Sequence, residues 1–458
     1  MTRSTLRYGA VAVATAALVA AATAAGTGAA TAAAPAGSSG HMTPSSVVGP
    51  PKVKVPSPDV SAMAKSATPS SVVFKCQSTT ASPRCYGPSQ MRTAYGTDKL
   101  IGAGYGGKGR TVVIVDAYQS PTLRDDLAAF DNVWGLPDAP LQIVAPDGLT
   151  PFDPNDATQQ GWAGEINLDV EWSHAMAPDA KIVLVLAKTS NDSDLQSAIR
   201  YAVDHKLGDT MSMSFGEAEA CYGVNADGTQ QPGTTLAAQH TILDKARRQG
   251  ITVFASAGDS GSTEPTCDGK GNMIAASTPA SDPFVTSVGG TQLFANPVTG
   301  AYQREVVWNE EKTYGYRTSG GGGFSTTYAT PYWQQSVGSL PSRGVPDVSY
   351  DAAIDGGVIV ALQGSFYIFG GTSSGSPQMA GITADIAQLN KGSLGFINPA
   401  LYKTARTMPG AFHDITKGQN GDFGLGGFTA GTGWDAASGL GSPVVDALAL
   451  SLAASNKQ

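Results

Sequence analysis

The chain has 458 residues, 41% of them hydrophobic and only 14% charged, with a formal net charge of -8 at pH 7. That length suits one large α/β domain or two or three ordinary ones, and the apolar fraction is ample for a core. The acidic balance argues against a nucleic-acid partner, while so few charges with 56 glycines imply a Ser-, Thr-, Asn-, Gln- and Gly-rich surface that changes little in acid.

Residues 1–34 read as an export signal. Arg3 and Arg7 form a short positive region, Tyr8 to Ala24 an apolar run, and the Ala-rich stretch to Ala34 offers small-residue cleavage sites. The mature protein is therefore expected to be secreted and extracellular; a retained anchor is the alternative, though small alanines make a poor permanent span. No later segment reads as a membrane span. Residues 35–85 read as a flexible leader or short propeptide, being rich in Pro, Ser, Ala and Val with few large residues as far as about Phe74. Four cysteines in an exported chain imply two disulfides, for which three pairings exist. Cys76 with Cys85 closes a short local loop and Cys221 with Cys267 ties two loops flanking a strand, so this pairing is preferred over the crossed ones.

From Tyr86 onward apolar runs alternate with amphipathic stretches. Thr111 to Val115 reads as strand, Thr122 to Trp134 as helix, Lys181 to Ala187 as strand and Ser193 to His205 as helix. Thr210 to Ser214, Thr235 to Gln249 and Ile251 to Ala255 continue the pattern as strand, helix and strand. Such alternation predicts an α/β fold, a mostly parallel sheet with helices on both faces, in a single catalytic domain over residues 86–456. Ligands in such folds gather at the carboxyl ends of the strands.

Between Gly161 and His174 there are few breakers after Gly164, and a short helix is expected to end before Pro178. Glu165 and Asp169 are four residues apart and share a face, whereas His174 lies about 180° round the helix from Glu165. Two neighbouring carboxyls raise the proton affinity of one of them, giving a pair able to act as acid and base below neutrality. A solvated acidic face would have the same spacing. Further on, Phe254-Ala255-Ser256-Ala257-Gly258-Asp259-Ser260-Gly261 reads as a buried strand ending in a glycine-flanked aspartate, which an ordinary turn also explains. The segment Gly370-Gly371-Thr372-Ser373-Ser374-Gly375-Ser376-Pro377 lets the backbone turn sharply and stands the Ser373 hydroxyl at a helix N-terminus. A serine at neutral pH needs a base, and none of His41, His174, His205, His240 and His413 has an obvious supporting context.

From Tyr86 to Leu452 the chain resembles the sedolisins, serine-carboxyl peptidases with a subtilisin-like fold. The resemblance makes Ser373, in Gly-Thr-Ser-Xaa-Xaa-Xaa-Pro, the nucleophile, Glu165, in Glu-Xaa-Xaa-Xaa-Asp, the general base, and Asp169 its orienting partner. Asp259 takes the place of the subtilisin asparagine that helps hold the oxyanion, and it can donate a hydrogen bond only when protonated. With an ordinary pKa of about 3.9, roughly a thousandth of it is protonated at pH 7 and nearly half at pH 4. Ser214-Phe215-Gly216 resembles the substrate-pairing strand, with Phe215 where Trp is frequent; a core strand end is the other reading.

Near the C-terminus, Phe412-His413-Asp414-Ile415-Thr416 and Ala430-Gly431-Thr432-Gly433-Trp434-Asp435 resemble the family's calcium site. The resemblance implies one structural Ca2+ held by the Asp414 and Asp435 side chains and the carbonyls of Ile415, Gly431 and Gly433; without it these segments read as turns. His413 is read as packing, since neutral imidazole is a poor calcium donor. The family usually carries a folded prodomain of well over a hundred residues, and here some fifty residues separate the signal from the catalytic region. The expected activity is that of a secreted, acid-active, monomeric endopeptidase or tripeptidyl-peptidase acting on peptides or proteins. Competing expectations are a histidine-dependent subtilisin-type hydrolase using Asp116, His174 and Ser373, and a non-catalytic secreted binding protein on the same fold.

Overall fold

The computed structural model describes residues 43–44, 53–55, 74–222, 234–310, 318–421 and 424–455. The stretch read as a signal peptide lies outside them, and among the described residues no helix is long and apolar enough to cross a membrane. Strands β1 (Thr43–Pro44) and β2 (Val53–Val55) belong to the leader, and β3 (Cys85–Tyr86) opens the body. There follow β4 (Thr111–Ala117), β5 (Leu141–Val144), β6 (Lys181–Ala187), β7 (Thr210–Met213), β8 (Phe215–Ala218) and β9 (Thr252–Ser256). β10 (Thr263–Pro265), β11 (Asn272–Ile274) and β12 (Ser277–Thr278) precede the long β13 (Thr286–Ala295) and β14 (Tyr302–Val307). The last ones needed here are β15 (Gly323–Phe324), β16 (Gly344–Val345), β17 (Val348–Asp351), β18 (Gly357–Leu362) and β19 (Ser365–Phe369).

The central eight-stranded sheet runs β14-β13-β9-β7-β4-β6-β5, with β17 also paired to β13. Its pairings are parallel except for β13 with β14. β4 shows why helices cover both faces. Val112 and Ile114 point into one apolar cluster, while Val113, Val115 and Ala117 point into the other. With side chains alternating at period two, neither face of this strand can be left in water. Leu195 and Ile199 of the helix Asp192–Asp204 and Leu243 of the helix Thr234–Arg248 close the second face.

The first face is covered by two central helices, Ala157–Met176 and Gly375–Leu389, called here the carboxylate helix and the serine helix. The carboxylate helix is longer than its sequence suggests. Asp156 caps it by accepting from the amides of Thr158 at 2.8 Å and Gln159 at 3.3 Å, satisfying donors that a helix start leaves orphaned. It packs against β4, the serine helix, the helix Leu123–Trp134 and β18, so that every residue from Gly161 to Met176 is buried. A solvated acidic face is thereby excluded.

Phe74, buried, packs its ring 5.7 Å from that of Trp134 and 5.1 Å from that of Phe366. Cys76 is bonded to Cys85 and Cys221 to Cys267, the preferred pairing.

Candidate active site

Ser373 sits in a short 3-10 turn, Thr372–Ser374, that leads directly into the serine helix. Gly371 before it has φ 108°, a left-handed conformation that a side chain would strain. At Gly375 a Cβ would come within 2.7 Å of Tyr350 Cβ, so glycine lets this turn lie directly on β17. Ser373 is buried and its hydroxyl donates to the Ser214 carbonyl at 3.3 Å. That carbonyl immediately precedes β8, so of the segment Ser214-Phe215-Gly216 it is Ser214 that meets the Ser373 hydroxyl. The Phe215 ring packs 5.9 Å from that of Trp162, one turn before Glu165 on the carboxylate helix. At Gly216 a Cβ would meet Ser277 Oγ at 2.2 Å, so β12 can press against β8 only because no side chain intervenes.

The turn carrying Ser373 packs against the carboxylate helix, on which Glu165 and Asp169 are both fully buried. Asp169 adjoins the side chains of Glu165 and Ser214 and also faces Asp116. Burial, and then the proximity of Asp116 and Glu165, hold the Asp169 carboxyl well above the ordinary carboxylate range. Asp116 is pushed up to about 8 by burial alone. It lies on β4 at the same alternation as Val112 and Ile114, hence on the face covered by the carboxylate helix. Sequence reasoning considered Asp116 only as the partner of a histidine. A single aspartate near the end of an otherwise apolar strand, on the helix-facing alternation, was the signal for its present place.

Asp259 lies across the Ser373 turn. Its Oδ1 accepts from the Thr372 amide at 2.8 Å and the Thr372 hydroxyl at 2.9 Å. Oδ2 is buried and without a hydrogen-bond partner. Burial raises the Asp259 carboxyl well above its ordinary range, the two Thr372 hydrogen bonds oppose this, and nearby Glu165 adds to it. With Oδ1 occupied as a double acceptor, a proton held by this carboxyl belongs on Oδ2. Glu264 was not anticipated either. Burial pushes its carboxyl up to about 8, and its Oε1 lies 2.7 Å from where a Cβ on Gly258 would stand.

His174 is not part of this site. It is buried on the other side of the carboxylate helix, where Nε2 donates to the Pro137 carbonyl at 2.8 Å and lies 3.3 Å from Asp131 Oδ1. Burial lowers its pKa to about 4. The set Asp116, His174 and Ser373 is therefore not assembled: Asp116 faces Asp169, and His174 faces Asp131.

The C-terminal loops hold the residues proposed for a cation. Asp414 accepts from the Gly433 amide at 3.1 Å through both carboxylate oxygens. Asp435 Oδ2 accepts from the Gly431 amide at 2.9 Å, while Oδ1 accepts from the Ala437 and Ser438 amides at 3.0 and 2.9 Å. Both carboxylates thus organise the same 431–438 loop. Among the described residues neither is paired with a cationic side chain, and no group of three or more His, Cys, Asp and Glu side chains could hold a metal. Two carboxylates completed by backbone carbonyls are nevertheless a donor set that suits a hard cation. His413 stacks on Tyr302 with ring centroids 3.7 Å apart, in keeping with a packing role.

The subtilase family model matches residues 158–416. Kumamolisin from a Bacillus species is 34% identical over 386 residues, 81% of this chain and 64% of the relative. Sedolisin from a Pseudomonas species is 36% identical over 333 residues, 70% of this chain and 54% of the relative. A tripeptidyl-peptidase of Aspergillus fumigatus is 34% identical over 238 residues, 44% of this chain and 35% of the relative. A solved structure of Pseudomonas sedolisin, a serine-carboxyl proteinase complexed with two molecules of pseudo-iodotyrostatin, matches with a TM-score of 0.69 and 32% identity, covering 81% of this chain and 98% of that one. The chain belongs to the subtilase family, within its sedolisin branch, and has the subtilisin-like fold. It spans less than two thirds of the length of kumamolisin and sedolisin.

Proposed function

We propose that this protein is a secreted, acid-active serine-type peptidase in which carboxyl groups replace histidine. One observation carries the reading: the Ser373 turn is packed among the buried carboxyls of Glu165, Asp169 and Asp259, while His174 is turned away. Ser373 Oγ bonds to the substrate carbonyl carbon as its proton passes to Glu165. Asp169, keeping its own proton, donates to Glu165 and fixes its orientation. The carbonyl oxygen gains negative charge and receives a hydrogen bond from the neutral Asp259 Oδ2. Collapse breaks the C–N bond, and the departing nitrogen takes the proton from Glu165. Water, deprotonated by the same group, then hydrolyses the ester and restores the Ser373 hydroxyl. β8 supplies an edge on which an extended peptide chain can pair.

Asp259 sets the direction of the pH dependence. Its donor form exists below its raised pKa and disappears as pH rises through it, so the site works in acid and idles when Asp259 is ionised. Calcium is the cation proposed for the C-terminal loops, held by Asp414, Asp435 and the carbonyls of Ile415, Gly431 and Gly433. Its chemistry there is structural, joining the 414 and 431–435 segments.

Peptide hydrolysis measured from pH 3 to pH 8 tests the reading. Wild-type activity should peak well below neutrality and vanish in Ser373→Ala. A maximum near pH 8 that is abolished by His174→Ala would overturn it.

A further inference from the structure

The outer edge of β18 is finished by side chains rather than by a strand. β3 pairs with β18 only at Gly357 and Val358, and beyond them no strand lies on that side among the described residues. The carboxylate helix takes the place of one. Trp172 Nε1 donates to the Ile359 carbonyl at 3.0 Å, Glu171 Oε2 accepts from the Ala361 amide at 2.9 Å, and Asn167 Nδ2 donates to the Ala361 carbonyl at 2.8 Å. All three side chains are buried, so the backbone groups they satisfy would otherwise be orphaned away from water.

The helix thus carries two polar pairs spaced i, i+4. Glu165 and Asp169 form one, and Asn167 and Glu171 form the other, about 200° further round. One pair lies on the side of the serine turn while the other is keyed to β18. The hairpin of β18 and β19 is also held at its tip. Asp126 accepts from the Gln363 amide at 2.9 Å and the Gly364 amide at 3.2 Å, and Asn167 Nδ2 donates to it at 3.1 Å. Gln363 is left-handed there, with φ 47°, a conformation that costs a non-glycine residue and that these bonds hold. From the hairpin the chain runs through β19 to Phe369, four residues before Ser373. On the way the Gly371 amide donates to the Ala352 carbonyl at 2.7 Å and the Thr372 amide to Asp259 at 2.8 Å. Little chain is left between the clamped hairpin and the nucleophile to absorb a shift.

We propose that Asn167, Glu171 and Trp172 are positioning residues for the peptidase reaction: they index the carboxylate helix to β18 and so set where Glu165 stands relative to Ser373. The inference rests on the peptidase reading of Ser373. A rotation of the helix by one residue would take Asn167 and Glu171 off Ala361 and turn Glu165 from the serine turn in the same movement. Loosening the index permits smaller excursions of the same kind. Proton transfer between a hydroxyl and a carboxylate tolerates few of them, since an error of about 1 Å costs about 10²-fold in rate. Substrate pairing along β8 takes place in a different sheet from β18, so binding is spared while the chemical step is slowed.

The test is steady-state peptide hydrolysis by the full chain and its variants at the wild-type pH optimum, well below the Tm of each protein. Glu171→Leu keeps the size of the side chain but removes the acceptor, and kcat should fall by about 30-fold or more while KM changes by less than about twofold. Glu171→Gln restores an oxygen for the Ala361 amide and should bring kcat back to within about threefold of wild type. Trp172→Phe is milder, keeping a buried ring and deleting only the bond to Ile359, and should lower kcat by about threefold. It decides the matter if Glu171→Leu does not fold. A lower Tm with kcat unchanged, in Glu171→Leu or failing that in Trp172→Phe, would make the contacts purely structural and overturn the inference. So would an equal loss in Glu171→Gln and Glu171→Leu, because the acceptor would then not be what matters. A wild type that hydrolyses no peptide from pH 3 to pH 8 would instead overturn the peptidase reading, and the positioning role with it.

Discussion

Two groups of buried acids in this molecule are treated in opposite ways. Asp347 is fully buried but fully compensated: Arg343 donates through Nη1 at 2.8 Å and Nη2 at 2.6 Å, the Ser287 amide at 2.8 Å and the Tyr402 hydroxyl at 2.9 Å. Asp116 and Asp169 are equally buried and face one another, and Asp169 also adjoins Glu165. The first arrangement satisfies the carboxylate with a guanidinium, an amide and a hydroxyl and fixes structure. The second leaves a proton as the means of lowering the charge, so its state follows the pH. Desolvation is common to both, and what separates an architectural acid from a chemical one here is the guanidinium.

The sharpest way to break the comparison is to alter one member of each group. Glu165→Gln removes the proposed proton acceptor while keeping its shape, and kcat should fall by about 10²–10⁴-fold with little change in urea stability. Arg343→Met should do the reverse. It leaves Asp347 buried without its cation, which costs about 3–5 kcal/mol, read as a lower urea midpoint, with unchanged kcat for the molecules that remain folded. If Arg343→Met instead abolished activity in fully folded protein, the division between the two groups would not hold.

Asp259→Asn is a gentler change that sharpens the pH side of the argument. Asparagine can accept from Thr372 through its carbonyl and present an amide donor from the position of Oδ2 at any pH. The ratio of activity at pH 7 to that at pH 4 should rise by about tenfold, with the acid-side activity largely kept. An unaltered ratio in steady-state peptide assays would show that the loss towards neutrality comes from another carboxyl.

How much of this was legible beforehand depends on what fixed each element. β4 and β6 announce themselves as continuous apolar runs, because a strand covered on both faces needs no alternation. Glu165 and Asp169 could be placed on one face from spacing alone, and so could the opposite placement of His174. Whether that face was wet or buried could not, since burial comes from the serine helix and β18, which are remote in sequence. Asp116 shows the same limit: period two gives its face but not the helix that covers it. β1 and β2 were illegible, because a Pro- and Val-rich stretch of two or three residues becomes strand only through the edges of β8 and β19.

The smallest expected effect concerns stability. Asp116 holds its proton in the folded protein up to about pH 8, against an ordinary value of 3.8 in the unfolded chain. Between these values the unfolded state has released a proton that the folded state retains, so stability falls as pH rises. Its contribution is complete below the lower value and is lost as pH passes through the upper one. Glu264 and Asp131, also raised to about 8 by burial, act in the same sense. Thermal unfolding followed by circular dichroism should therefore show Tm falling between pH 4 and pH 8. Asp116→Asn cannot ionise, and it should flatten that fall by about a few degrees while leaving the Glu264 and Asp131 contributions in place. A variant whose Tm kept the full slope would mean that Asp116 is compensated in the folded state, placing it with Asp347 rather than with Asp169.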